Sequence, residues 1–265
     1  MDIAGQVFVV TGGGNGIGRE VVLELVRRGA RVAAVDRRRE FLDDTVQLAP
    51  AARVVPYTLD ITDRAAVEAL PARVIADLGQ VDGVVNVAGI IQRFVHVNDL
   101  TIEEIEHVMA VNFWGTLYMD KAFLPSLLAR PEASIVNVSS MGALVPVPGQ
   151  GAYGASKAAV KLLTECLFAE LQGTKVSVTE VFPGAVSTQI SDNSGVAAPA
   201  MPAGAQPTFT SAPAAAQQIV DAIEQGTFRA LIGSDARNLD RLSRVAPTRA
   251  ITTVANRMRA FLTGS

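Results

Sequence analysis

Short apolar runs alternate with longer amphipathic segments along almost the whole chain. Seven of these runs have the length and the aliphatic, β-branched composition of buried strands. In chain order they read QVFVVTG, RVAAVD, RVVPYTLD, VDGVVNVAG, ASIVNVSS, KVSVTEVFPG and FRALIG. Because continuous apolar strands separated by helices are typical of βαβ units, the pattern predicts an α/β fold with about seven parallel strands.

The segments between these strands have the length of helices. They cover residues 16–28, 39–48, 63–77, 101–128, 151–172 and 212–225. Thr101 and Glu104 match a capping box at the start of the fourth segment, which supports a helix beginning there. Since crossovers between parallel strands are right-handed, we expect a doubly wound sheet with helices on both faces.

The composition supports one domain with a large core. Of the 265 residues, 49% are hydrophobic and 18% are charged, and no internal repeat or linker divides the chain. We therefore expect a single domain over 1–265, with a core over 1–190, a substrate loop over 188–213 and a basic helical tail over 234–265. Residues 195–216 are rich in Ala and Pro and uncharged, which favours a lid or an irregular insertion.

Charge and cysteine content argue against several functions. A net charge of −3 gives no general attraction to nucleic acid. No stretch approaches the roughly 18 consecutive apolar residues of a membrane span, and the N-terminus does not resemble a signal peptide. Cys166 is the only cysteine, so we expect a reducing, cytoplasmic setting. With only two histidines in addition, no dedicated metal site is expected.

A glycine-rich turn follows the first strand directly. Residues 11–18 read TGGGNGIG, and a helical segment starts within them. Gly12, Gly16 and Gly18 remove side chains where the chain must turn sharply and where a diphosphate can approach the helix amides. Glycines also serve tight turns that bind nothing, but the position between the first strand and the first helix predicts a dinucleotide-binding, Rossmann-type turn.

The end of the second strand bears on the choice of coenzyme. Asp36 stands there, eighteen residues beyond Gly18. A carboxylate at this point can accept hydrogen bonds from the ribose hydroxyls and would repel a 2′-phosphate, which favours NAD. Arg37 to Arg39 follow at once, and a guanidinium can accommodate that phosphate, so NADP stays an alternative.

A tyrosine and a lysine stand four residues apart in GQGAYGASKAAVKLL, residues 149–163. At this spacing Tyr153 and Lys157 lie on one face of a helix. A free phenol has a pKa of about 10, and a neighbouring ammonium favours its ionised form. The pair is therefore either a general acid/base site or an ordinary pair of helix residues.

Six motifs in order resemble the short-chain dehydrogenase/reductase family, in its compact NAD(P)-dependent branch. They are TGGGNGIG, NVAG, VNFWG, NVSS, YGASK and FPGAVST, and the resemblance covers residues 5 to 190. The family places a serine thirteen residues before its active tyrosine, which selects Ser140 over Ser139. The catalytic set implied by the resemblance is Asn112, Ser140, Tyr153 and Lys157.

The resemblance also implies a cofactor site. Asp60 and Ile61 in LDITD would contact the adenine, Asn86 would join the central strands, and FPGAVST would hold the nicotinamide carboxamide. The complete implied set is Gly12, Gly14, Asn15, Gly16, Ile17, Gly18, Asp36, Arg37, Asp60, Ile61, Asn86, Ala88, Gly89, Tyr153, Lys157, Pro183, Gly184, Val186 and Thr188.

The implied reaction is hydride transfer between a nicotinamide and a secondary alcohol or ketone. Tyr153 would exchange the proton, Ser140 would donate to the substrate oxygen, and Lys157 would lower the pKa of Tyr153 and hold the nicotinamide ribose. Asn112 would hold a water that relays the proton from Lys157. Two alternatives are an NADPH-dependent reductase of 3-oxoacyl thioesters and a non-catalytic dinucleotide sensor.

The regions expected to contact substrate are apolar. Phe94, Met141, Leu144 and Met201 are candidate pocket residues, which favours an apolar alcohol or ketone. The tail from 237 to 265 has six arginines and one acid, Asp240, and departs from the family's usual end. This favours a homo-oligomer that is a dimer rather than a tetramer. A solvated helix face explains the arginines better than contact with a membrane or an anionic carrier.

Overall fold

The computed structural model describes residues 1–197 and 209–262. Its strands are β1 (Val7–Thr11), β2 (Arg31–Asp36), β3 (Val54–Thr58), β4 (Gly83–Asn86), β5 (Ala133–Val138), β6 (Val176–Pro183), β7 (Val186–Ser187), β8 (Thr210–Ser211) and β9 (Arg229–Ile232). Seven of them form one sheet in the order β3-β2-β1-β4-β5-β6-β9, and every pairing in it is parallel. The short strands β7 and β8 pair separately.

The helices lie mostly where the pattern predicts them. They are α1 (Gly16–Arg27), α2 (Arg39–Leu48), α3 (Arg64–Leu78), α4 (Ile102–Met109), α5 (Thr116–Leu128), α6 (Gly151–Glu170), α7 (Ile190–Ser194), α8 (Ala212–Gln225), α9 (Ser234–Val245) and α10 (Pro247–Leu262). Thr101 and Glu104 form both hydrogen bonds of a capping box at the start of α4.

Two apolar layers bury the sheet, one on each face. In β1, Phe8 and Val10 pack into the layer formed with α1, α2 and α8, whereas Val7 and Val9 pack into the layer formed with α3, α5 and α6. Successive side chains of a strand point to opposite faces, so a strand buried on both sides is apolar throughout. The predicted doubly wound parallel sheet with helices on both faces is therefore confirmed.

The strand order creates a crevice at the carboxyl edge of the sheet. From β1 the chain moves outward through β2 and β3, and it then returns to place β4 on the other side of β1. Loops that leave β1 and β4 consequently diverge at this point. Ligands of open α/β sheets bind in such crevices.

The single helix predicted over 101–128 is wrong in one respect. Between α4 and α5, residues Ala110–Gly115 form a π-helical turn. Asn112 lies in this turn with its side chain bonded to the backbone of Ile90, and Thr116 Oγ1 donates to the Asn112 carbonyl at 2.8 Å. The buried positions Val108, Asn112, Thr116 and Met119 keep a spacing of three or four residues, so the sequence pattern did not reveal the turn. Such turns are frequent at functional sites.

The C-terminal residues form α9 and α10, which pack beside the loop that follows β5. Val145 of that loop, with Ala250 and Val254 of α10, forms a small apolar cluster. None of the helices in residues 1–197 and 209–262 combines the length and the apolar character needed to cross a lipid bilayer.

Candidate active site

The turn between β1 and α1 is tightly packed. Gly12 has a φ of 68°, and a Cβ there would lie 3.1 Å from the Cα of Ala88 in the loop after β4. A Cβ on Gly18 would collide with the carbonyl oxygen of Gly12. Only glycine fits these two positions, because the first needs a left-handed conformation and the second leaves no space. The turn thus brings the N-terminus of α1 to the crevice, where an anionic group is favoured.

The carboxylate of Asp36 is held in place at the end of β2. Its Oδ2 accepts a hydrogen bond from Gly14 N at 3.2 Å, and its Oδ1 accepts one from Arg38 N at 3.1 Å. The guanidinium of Arg38 stacks 3.7 Å from the ring centroid of Phe41. Backbone donors from both sides therefore fix the direction in which the acid presents its remaining lone pairs.

A cleft runs along the crevice between the loops of β1, β2, β3 and β4. It contains most of the residues that the sequence assigns to a cofactor. These are Gly12, Asn15, Gly16, Ile17, Gly18, Asp36, Arg37, Asp60, Ile61, Ala88, Gly89 and Thr188.

Two residues of the assigned cofactor set line neither this cleft nor its continuation beside α6. Gly14 packs behind the cleft, where a Cβ would lie 2.8 Å from the Cβ of Phe41. Its contribution is the hydrogen bond that its backbone N–H donates to Asp36. Asn86 is buried in the core, and its Nδ2 donates to Asp120 Oδ1 and to Asn137 Oδ1, both at 2.9 Å. Asn86 thus joins β4 to β5 and borders the cleft only through the residues that follow it.

A second cleft continues from the first toward β5 and α6. Both are lined by Ile17, Val87, Gly89, Thr188 and Ile190, so they meet end to end. Eight more assigned residues line this second part: Phe94, Ser140, Met141, Tyr153, Lys157, Pro183, Gly184 and Val186. A ligand that starts at Asp36 and passes the glycine turn therefore ends beside Tyr153.

Backbone contacts fix the serine and the lysine of this second cleft. Ser140 follows β5, and its Oγ accepts a hydrogen bond from Gly142 N at 3.0 Å. Lys157 is 4% exposed, and its Nζ donates to the carbonyl oxygen of Val138 at 2.9 Å. Ser139 Oγ donates to the Lys157 carbonyl at 2.8 Å, so this serine anchors α6 to β5 while Ser140 faces the cleft.

Burial controls the ionisation of Tyr153 and Lys157. Removal from water raises the pKa of the Tyr153 phenol, and a hydrogen bond with the Ser140 side chain acts in the opposite direction. Burial lowers the pKa of the Lys157 ammonium to about 8. Burial is the larger of these two effects on the Tyr153 pKa, and Lys157 Nζ is directed to the Val138 carbonyl, so the lowering of the Tyr153 pKa by Lys157 stays a prediction.

Asn112 lies beside Lys157, and both polar atoms of its side chain have hydrogen-bond partners. Its Oδ1 accepts from Ile90 N at 2.8 Å, and its Nδ2 donates to Ile90 O and to Ser156 Oγ, both at 2.9 Å. A Cβ on Gly89 would lie within 3.2 Å of both Asn112 Oδ1 and Lys157 Nζ. Asn112 therefore fixes the loop after β4 against α6.

The turn after β6 is braced by a residue that the sequence did not single out. Asp235, at the start of α9, accepts a hydrogen bond from Ala185 N at 2.6 Å. Its carboxylate fills the space beside Gly184, where a Cβ would collide with it. The turn that holds Pro183, Gly184 and Val186 along the cleft is thus supported from outside by the first turn of the tail.

Two of the four candidate substrate residues line the second cleft, and two do not lie there in the described part of the chain. Phe94 and Met141 line the second cleft, together with Ile91, Val147 and Phe209. Leu144 lies outside it, because the loop after β5 turns this side chain toward Val145 and the tail helices. Met201 lies outside the described residues.

Helix α7 adds contacts that the sequence did not reveal. Its Asn193 lines the first cleft and accepts through Oδ1 from Arg38 at 2.6 Å and from Asn15 at 3.3 Å. Ser194 Oγ accepts from Ile91 N at 3.0 Å. No pattern in the composition separated this short helix from the uncharged stretch that follows it.

A comparison of the sequence with models of protein families agrees with the fold and the site described above. The model of the short chain dehydrogenase family matches residues 6–197. The chain therefore belongs to this family, and it is an oxidoreductase that acts on CH–OH or keto groups with a nicotinamide dinucleotide. SadH of Mycobacterium tuberculosis, which is named as an oxidoreductase, is 38% identical over 255 residues that cover 91% of each chain.

Two solved structures share the whole fold. A short chain dehydrogenase of Burkholderia cenocepacia in complex with NADP is 30% identical, with a TM-score of 0.81 over 96% of this chain and 99% of that one. A short chain dehydrogenase/reductase of Burkholderia phymatum in complex with NAD is 27% identical, with a TM-score of 0.85 over 95% of this chain and 97% of that one.

The residues of this chain fit such a dinucleotide. Gly12 and Gly89 both line the cleft without a side chain, at positions where a Cβ would lie within 3.2 Å of neighbouring atoms, and a fixed carboxylate stands at one end. Lys157 stands at the other end. Within the described residues, no group of three His, Cys, Asp or Glu side chains could hold a metal ion.

Proposed function

We propose that the protein interconverts secondary alcohols and ketones with NAD(H), with Tyr153 as the acid/base. The observation that carries this proposal is the meeting of the two clefts. Ser140, Tyr153 and Lys157 line the end of a continuous channel that begins at the glycine turn and Asp36. A carbonyl carbon beside Tyr153 would therefore face the reactive end of a dinucleotide.

Tyr153 would supply or accept the proton. The raised pKa of the phenol keeps it protonated at neutral pH, which suits donation to a ketone oxygen. Ser140 would donate to the same oxygen and fix its position beside the phenol. The bound nicotinamide would supply or take up the hydride.

Lys157 would act through its charge. With a pKa of about 8, its ammonium is mostly protonated at pH 7 and would stabilise the phenolate needed to oxidise an alcohol. We also propose that Nζ binds the nicotinamide ribose. Since every polar side-chain atom of Asn112 has a protein partner, we assign that residue to positioning Gly89 and Ile90 rather than to holding a water.

The adenosine end supports NAD as the coenzyme. Asp36 presents a fixed carboxylate at the end of β2, which would accept bonds from the ribose hydroxyls and repel a 2′-phosphate. Arg38 is engaged by Phe41 and Asn193, and Arg37 donates to the Asn193 carbonyl at 3.3 Å. Both arginines thus have partners within the protein, but Arg38 Nε has none among the described residues, so the support for NAD comes from Asp36 rather than from the arginines.

The second cleft supports an apolar substrate. Ile91, Phe94, Met141, Val147 and Phe209 form much of its wall. The NADPH-dependent reduction of 3-oxoacyl thioesters is a second candidate, since the arginines of the tail could contact an acidic carrier. Asp36 counts against it, because that reaction needs the other coenzyme.

We further propose a cytoplasmic homo-oligomer, a dimer rather than a tetramer. The single exposed thiol of Cys166 suits a reducing compartment. Trp114, Leu162 and Phe168 are large apolar side chains that remain exposed on α6 and the neighbouring π-helical turn, which supports burial against another copy. Light scattering after gel filtration would test the dimer, and a monomeric mass at micromolar concentration would refute it.

The function is tested with a panel of secondary alcohols and ketones. Reduced nicotinamide is followed by its absorbance, with NAD(H) and NADP(H) compared at equal concentration. We expect turnover with apolar members of the panel and a higher kcat/KM with NAD(H). An enzyme that binds NADH but reduces no ketone and oxidises no alcohol would overturn the proposal.

A further inference from the structure

One buried amide of the second cleft has an unused acceptor. Gln150 directly precedes α6, lines the cleft, and is 4% exposed. Its Oε1 has no hydrogen-bond partner among residues 1–197 and 209–262. A buried carbonyl without a donor is unfavourable and uncommon in folded proteins, so this oxygen calls for an explanation.

The orientation of the amide is fixed by its other end. Gln150 Nε2 lies 2.9 Å from the carbonyl oxygen of Gln92, which can only accept. The nitrogen must therefore face Gln92, and the oxygen is the atom left over. Gln92 itself is satisfied, since its Oε1 accepts from Tyr153 N at 2.7 Å and its Nε2 donates to Gly149 O at 3.3 Å.

The nearby hydroxyl groups of the cleft already have uses. Ser139 donates to the Lys157 carbonyl, and Ser140 is the proposed donor to the reacting oxygen. The rest of the wall is largely apolar, including Ile91, Met141 and Val147. None of the described residues donates to Gln150 Oε1, so a molecule that enters the cleft could supply the donor.

We propose that Gln150 Oε1 accepts a hydrogen bond from a second hydroxyl group of the substrate. This inference rests on the proposed function and narrows its substrate class to hydroxyketones and the corresponding diols. Gln150 and Tyr153 are three residues apart, about one helical turn, so their side chains are neighbours. The recognised hydroxyl then lies within a few bonds of the reacting carbon, on an otherwise apolar skeleton.

The experiment compares ketones that differ only in this donor. Two series are used. The first is cyclohexanone with its 2-hydroxy and 2-methoxy derivatives. The second is acetophenone with the two derivatives that carry a hydroxy or a methoxy group on its methyl carbon. The methoxy group has a similar inductive effect but cannot donate. We expect wild-type kcat/KM with NADH to favour the hydroxy over the methoxy derivative by about 10- to 100-fold, as for one bond to a buried acceptor.

Gln150→Met should reduce this preference to less than about threefold. Methionine keeps the length of the side chain and lacks the acceptor. Loss of the bond to Gln92 would lower the rates of all derivatives together, so the ratio reports the acceptor alone. Gln172→Met is the matched control, because Gln172 is exposed beyond the end of α6 and donates to the Phe168 carbonyl; it should keep the wild-type ratio.

Two results would overturn the inference. One is a wild-type ratio near one, and the other is a ratio that Gln150→Met leaves unchanged; either would mean that water or a rearranged donor satisfies the oxygen. Failure of the proposed function has a different signature, because NADH would bind and no ketone of either series would then be reduced.

Discussion

The two halves of the cleft are built in different ways. The adenosine half consists of a turn, a strand end and a loop whose positions depend on backbone contacts, such as those from Gly14 and Arg38 to Asp36. The substrate half is assembled from segments far apart in the chain, among them Phe94, Val147 and Phe209. The first half can accept only a narrow range of ligands, whereas side-chain changes can adapt the second to many.

This difference has a physical origin. A diphosphate is bound by main-chain amides, so the chain must adopt a particular path, and only glycine permits it at Gly12 and Gly18. An apolar substrate needs only a wall of suitable shape, which many residues can form. The boundary between the halves lies at Gly89, next to Lys157.

The largest expected effect on activity comes from replacing Lys157 in the substrate half of the cleft. Lys157→Ala should lower kcat by about 10²- to 10⁴-fold, because the phenolate loses its neighbouring cation. NADH affinity should fall as well if Nζ binds the ribose. Lys161→Ala is the control, since Lys161 pairs with Glu165 one turn further along α6 and should leave kcat unchanged. Unchanged NADH affinity in Lys157→Ala would remove the ribose role.

A substitution in the adenosine half should change the preference for NAD over NADP and leave the proton-transfer residues unaffected. Asp36→Ala removes the carboxylate that we propose faces the 2′ position, so kcat/KM with NAD should fall relative to NADP by about 10- to 100-fold. Asp43→Ala, which removes an exposed partner of Arg39, should leave the ratio unchanged. An Asp36→Ala enzyme with the wild-type ratio would contradict the assigned preference.

A buried carboxyl beneath the cleft should make stability depend on pH. Burial raises the pKa of Asp120 from 3.8 to about 7. The folded protein thus holds this proton more tightly than the unfolded chain, so its free energy of unfolding should decrease as pH rises from 3.8 to about 7.

Asp120→Asn removes this titration. Between pH 5 and pH 8, urea denaturation should show a loss of stability that is smaller in the variant by on the order of 2 kcal/mol. Asp43→Asn, at an exposed site, should behave as the wild type does. Equal pH profiles for Asp120→Asn and the wild type would show that the Asp120 carboxyl titrates at its usual pKa.

A smaller effect is expected where the tail supports the turn after β6. Asp235→Ala leaves Ala185 N without its acceptor and opens space beside Gly184, so KM for NAD should rise by about 5- to 10-fold. Asp235→Asn keeps an oxygen in the same place and should recover most of the affinity. Equal KM values in all three proteins would mean that the turn holds its shape without Asp235.

Regular features of the molecule could be predicted from the sequence, and the contacts of individual loops could not. The strands and most helix ends follow from apolar periodicity, and the glycine turn from its place after β1. The π-helical turn at Asn112 leaves that periodicity intact. Other residues of the site act through hydrogen bonds with distant partners: Gln150 with Gln92, Asn193 with Arg38, and Asp235 with Ala185. No pattern along the chain relates residues so far apart.

The most direct test of the central claim is the Tyr153→Phe enzyme. Phenylalanine keeps the ring and removes only the hydroxyl, so NADH should bind with nearly wild-type affinity, as measured by its fluorescence. Ketone reduction should fall by about 10³-fold or more, since proton transfer has no alternative donor at that position. Reduction within tenfold of the wild-type rate, with NADH bound as tightly, would contradict the assignment of Tyr153 as the acid/base.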